Sequence, residues 1–67
     1  MIKFILNGKI FELENDINVY EFLAQNGYEI KFIALERDGE ILPKKLWSEH
    51  FMSEAKTYEI VTLVGGG

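Results

Sequence analysis

The chain has 67 residues, a formal charge of -4, no cysteine, and 48% hydrophobic residues, among them five Phe, three Tyr and one Trp. That is one small domain with enough apolar side chain for a single core, and it excludes disulfide staples, thiolate metal sites and cysteine nucleophiles together. The Lys and Arg residues are scattered, which argues against a phosphate-backbone partner, and no apolar run reaches membrane-spanning length. Met1-Ile2-Lys3-Phe4 leads straight into a strand pattern instead of a signal peptide, so the expected address is cytoplasmic, with neither nucleic acid nor membrane as partner.

Ile2, Phe4 and Leu6 recur at period two, as do Phe11 and Leu13 within the run Lys9 to Glu14, and Asn7-Gly8 lies between the runs. Asn-Gly between apolar runs predicts a type I′ hairpin, because both central residues must take positive φ. Ile5 and Ile10 fall on the opposite phase and predict exposed apolar area on the far face of the sheet. From Val19 the period becomes helical through Phe22 and Leu23, with Asn18 placed as N-cap, Glu21 three residues on, and Gly27 as a left-handed stop. A helix over Val19 to Asn26 is expected, with Tyr28 and Ile30 anchoring its exit loop.

Residues Phe32 to Glu36 predict a third strand and Glu40 to Leu42 a fourth, joined by a turn with Asp38-Gly39 at its centre and closed by Pro43, which lacks a ladder donor. Leu46, Trp47, His50 and Phe51 suggest one or two helical turns within Lys44 to Met52, packed on the sheet's rim. The run Tyr58 to Val64 is β-branched and apolar in both phases except at Glu59 and Thr62, as for a central strand flanked on both sides. Hairpin, helix, hairpin, turn, strand pack most economically as an α+β, two-layer β-grasp: a mixed sheet against one main helix, the last strand central and parallel to the first. The expected division is a folded body, residues 1-64, and a flexible glycine tail, residues 65-67.

Catalytic chemistry is scarce. His50 is the single histidine, and Ser48 and Ser53 near it have no acidic third member set by spacing. Glu12 with Glu14, or Glu36 with Glu40, read more simply as solvated strand and turn residues than as acid–base pairs, and Trp47 beside Pro43 reads as core. Gly65-Gly66-Gly67 has no following helix to bind phosphate, and no metal ligand set is visible. What remains is the carboxylate of Gly67. Three side-chain-free residues at roughly 3.3–3.6 Å each could carry it about 10 Å from the body and into a partner's narrow slot; the plainer alternative is a frayed end. A carboxylate reacts once its oxygen becomes a good leaving group, as in an acyl-adenylate made with ATP. The chain has no nucleophile or phosphate site of its own, so another protein would perform that step. The expectation is a substrate or carrier and not an enzyme.

The Asn7-Gly8 hairpin, Ile33-Ala34-Leu35-Glu36, the run Ile41-Leu42-Pro43-Lys44-Lys45-Leu46-Trp47, and the closing Glu59-Ile60-Val61-Thr62-Leu63-Val64-Gly65-Gly66-Gly67 together resemble the ThiS family, the β-grasp sulfur carriers of thiamine biosynthesis. The resemblance covers nearly the whole chain, although Ala55 and Lys56 stand where the family often has Gly-Asp before the last strand. It implies that a ThiF-type enzyme adenylates Gly67 with ATP and that a persulfide sulfur donor converts it to a thiocarboxylate. A ThiG-type thiazole synthase then takes the sulfur. No cofactor is expected on the chain itself. Gly66 and Gly67 would thread the partner's channel; Gly65, with Leu63 and Val64, would form the adjoining docking segment beside the exposed apolar sheet face. The alternatives are a MoaD-type carrier serving molybdopterin synthesis, a ubiquitin-like protein modifier, and an interaction module with an idle tail.

Overall fold

The computed structural model describes residues 1–63. Strands β1 (Ile2–Leu6) and β2 (Lys9–Leu13) form the opening hairpin, helix α1 spans Val19–Gln25, β3 (Ile33–Arg37) and β4 (Glu40–Leu42) form a second hairpin, and β5 covers Thr57–Thr62. The sheet order is β2-β1-β5-β3-β4, with β5 parallel to β1 and antiparallel to β3. Both hairpin turns have the expected conformation: Asn7 and Gly8 lie at φ 49° and 81°, Asp38 and Gly39 at 51° and 86°. Each turn passes its strands back in register, Phe4 opposite Phe11 and Leu35 opposite Leu42.

The Asn18 side chain accepts the Glu21 backbone N–H at 2.8 Å, closing the helix start, and Asn26 caps its end one residue before Gly27 at φ 85°. The helix buries Val19, Phe22 and Leu23 against the inward phase of the sheet, Phe4 and Leu6 from β1, Ile33 and Leu35 from β3, Leu42 from β4 and Tyr58 from β5. The ring of Phe4 stacks on Phe11 and meets Phe22 and Tyr58 edge-on at 5.4–5.8 Å, an arrangement aromatic quadrupoles favour. Tyr28 and Ile30 pack against this cluster, as expected of exit-loop anchors.

Two elements differ from the sequence expectation. Phe32 ends a 3₁₀ turn, Ile30–Phe32, and is 49% exposed, so β3 begins one residue later than its apolar run. The segment after Pro43 forms only a 3₁₀ turn, Lys44–Leu46; Trp47 drops fully into the core while Phe51 stays 51% exposed and bridges Asn18. Their spacing reflects two sides of a turn, not one helix face. As expected, β5 is the central strand, flanked by β1 and β3. Tyr58 and Ile60 point inward and Val61 is exposed on the outer face of the two-layer fold.

Candidate functional site: the root of the C-terminal segment

The site anticipated at Gly67, with Gly65, Gly66 and Val64, lies outside the described residues. What the structure describes is its root, the C-terminal half of β5 and Leu63 after it. On the β3 side the antiparallel ladder runs to Ile33 opposite Thr62, and the Leu63 N–H then donates to the Phe32 carbonyl at 2.7 Å. On the other side β1 supplies partners only at Ile5 and Leu6. The next rungs come from Asn7: its backbone N–H donates to the Tyr58 carbonyl at 3.0 Å, and its side-chain Oδ1 accepts the Ile60 N–H at 2.8 Å. A turn residue thus extends the parallel ladder after β1 has bent away. Sequence identifies Asn7 as a turn former; its bond partner is 53 positions away and left no local signal.

Leu63 is 45% exposed, and Val61, in the same phase, is also exposed, as is Phe32 beside them. The proposed docking residue Leu63 is therefore accessible at the point where the described chain ends. Ile5 and Ile10 face each other across the hairpin on the same outer surface and are exposed as expected. They line a shallow depression of about 280 Å³ with Lys3, Glu54, Lys56 and Thr57. This depression is at the start of β5, the opposite end from Leu63.

The other candidates take structural roles. His50 Nδ1 is 3.5 Å from Arg37 Nη1, its backbone carbonyl accepts the Val19 N–H, and no serine completes a triad: Ser53 Oγ donates to the Phe51 carbonyl. Trp47 is fully buried and donates Nε1–H to the Leu42 carbonyl at 2.8 Å, the polar partner a buried indole requires. Glu12 meets Lys3 at 3.9 Å, while Glu36 and Glu40 occupy opposite phases of their hairpin. Asp38 Oδ1 accepts the Thr57 N–H at 2.9 Å, and that bond, with Lys56 nearby, lowers its pKa against the opposing effect of desolvation. Among the described residues no group of three or more His, Asp or Glu could hold a metal, and no helix is long and apolar enough to cross a membrane.

A five-stranded mixed sheet with a central β5 parallel to β1 and one helix across it defines a ubiquitin-like β-grasp domain. The crystal structure of a thiamine biosynthesis protein (ThiS) from Geobacter metallireducens has this fold, with a TM-score of 0.81 at 23% identity over 98% of this chain and 100% of that one. Residues 4–67 match the ThiS family model, and the chain belongs to the ThiS family, the sulfur carriers of thiamine biosynthesis. The sulfur carrier protein ThiS of Bacillus subtilis (strain 168) is 35% identical over 63 residues, 92% of this chain and 96% of the relative. A thiazole synthase of Paramagnetospirillum magneticum is 29% identical over 66 residues, 98% of this chain but only 20% of that protein.

Proposed function

We propose that the Gly67 carboxylate is the working group of this chain. A ThiF-type enzyme would adenylate it with ATP, releasing pyrophosphate. The terminal sulfur of a donor persulfide then attacks the acyl carbon and displaces AMP, giving an acyl disulfide; a thiol reductant cleaves its S–S bond, the donor leaves as a disulfide with that thiol, and the thiocarboxylate that remains is used by a ThiG-type thiazole synthase for the thiazole ring. The observation that carries this reading is the family match extending through residue 67 on a chain whose last strand leaves the middle of the sheet. Gly65 and Gly66 are narrow enough to occupy a partner channel, and Leu63 and Val64 would dock beside it.

The chain acts as substrate and carrier, and not as catalyst. That reading is supported by His50, whose described side-chain contact is Arg37 and not a hydroxyl nucleophile. A ThiG-type partner is supported by the thiazole synthase that contains a stretch similar to this whole chain. ATP belongs to the activating partner; the chain itself carries no cofactor in this scheme, and its cytoplasmic address follows from where such partners would work.

Adenylation is reversible, so the direct test is exchange of labelled pyrophosphate into ATP by a ThiF-type enzyme. Exchange dependent on this chain and lost when Gly67 is deleted supports the reading; exchange that persists without Gly67 rejects it.

A further inference from the structure

The outer face of β3, β4 and β5 carries an arrangement that does nothing for the folded chain by itself. Ile41 and Val61 are exposed there, Ala34 lies opposite Val61, and Leu63 continues the Val61 phase toward the C-terminus. In the middle of these apolar residues, Glu36 on β3 stands directly opposite Glu59 on β5. Directly opposed side chains on one sheet face have Cβ atoms about 4.5–5.5 Å apart, and like charges in that relation are destabilising. The row continues to Ile41, which opposes Glu36 from β4. Among the described residues no Lys or Arg forms an ion pair with either carboxylate. Lys3 bonds Glu12, Lys56 bonds Asp38, Lys44 reaches the Lys31 carbonyl, and Arg37 lies on the inward phase near His50.

We propose that this face is the seat for a basic side chain, an arginine or lysine set in an apolar surface of the activating protein partner, with the cation between Glu36 and Glu59. The proposal rests on the carrier reading and names the chemistry of its docking face. Apolar contact with Ile41, Val61 and Leu63 supplies the buried area, and charge complementarity selects the occupant: two carboxylates accept a guanidinium's parallel N–H groups and repel an acidic or phosphate-bearing surface. The patch adjoins Leu63, so the partner that holds it also receives the segment leading to Gly67. Self-repulsion in the free chain would then become attraction in the complex.

The test uses the full chain and a ThiF-type enzyme, comparing wild type, the double variant Glu36→Gln with Glu59→Gln, and a control, Glu14→Gln, which removes a charge beyond the end of β2. The double variant should melt at the same or higher temperature, because repulsion is relieved, yet bind the enzyme roughly tenfold or more weakly, with a flatter salt dependence. Glu14→Gln should bind as wild type does. Equal binding by the double variant, with thiocarboxylate still formed, overturns the docking proposal and leaves the carrier reading intact. Weaker binding accompanied by a lower melting temperature also overturns it, since the pair would then be a structural support. If wild-type chain neither binds nor is adenylated by an enzyme active on its own carrier, the carrier reading fails and this proposal falls with it.

Discussion

Asn7 offers the sharpest test of how the C-terminal segment is held. Its backbone requires positive φ, and its Oδ1 takes the Ile60 N–H where β1 no longer can. The two requirements separate by substitution. Asn7→Gly keeps the turn but removes the acceptor, and the lost bond, about 0.5–1.5 kcal/mol, is joined by the greater freedom of glycine in the unfolded chain. Asn7→Ala loses the acceptor and also the short polar side chain through which Asn tolerates the left-handed region, a further cost of up to about 1–2 kcal/mol. Asn7→Asp keeps the acceptor and tolerates the turn. The expected order of stability is therefore wild type, close to Asp, then Gly, then Ala. For a domain of this size 1 kcal/mol moves Tm by roughly 4–8 °C, well within the resolution of a thermal melt. Hydrogen exchange at the Ile60 amide localises the effect: it should quicken in the Gly and Ala variants and not in Asp. Unchanged Ile60 protection in Asn7→Gly would refute the ladder-extension argument whatever the melting temperatures show.

Ala55 lies at φ 65° in the loop before β5, so Ala55→Gly should raise stability by about 0.5–1 kcal/mol, the relieved left-handed cost less the entropy of glycine, as read from urea midpoints. Trp47→Phe removes the Nε1–H that satisfies the buried Leu42 carbonyl and leaves a small void; a loss of about 2–4 kcal/mol is expected in the same assay. The Asp38 carboxylate has its pKa lowered from the ordinary 3.8, chiefly by the Thr57 N–H. A depressed folded pKa means its contribution is fully present above the unfolded value and lost as pH falls through the folded one. Asp38→Asn keeps an acceptor but not the charge, so it should lower the neutral-pH melt modestly and abolish that part of the acid-limb loss of stability.

Where the chain reverses direction, the sequence was highly informative. Asn7-Gly8 and Asp38-Gly39 have few alternatives to type I′ turns, and Asn18 with Glu21 and Gly27 brackets the helix nearly to the residue. The central place of β5 followed from its composition, and of its two apolar phases one packs inward at Tyr58 while the other leaves Val61 exposed. Apolar residues on an exposed docking face and on a buried face look alike in a letter code. Irregular structure was least legible: Trp47 and Phe51 share a helical spacing but end up buried and exposed, because tertiary packing around a short 3₁₀ turn decides their direction. Of the candidate site, Gly67 is proposed from residue types and lies outside the described residues, whereas the ties that position the strand before it, Asn7 to Ile60 and Leu63 to Phe32, join residues far apart in sequence.

The measurement that bears most directly on the account is the intact mass of the chain after incubation with ATP, a ThiF-type enzyme, a persulfide sulfur source and a thiol reductant, beside a chain lacking Gly67. The account predicts a gain equal to the replacement of one oxygen by sulfur in the full-length chain alone. No gain with an enzyme that sulfurates its own carrier, or an equal gain in the shortened chain, would contradict it.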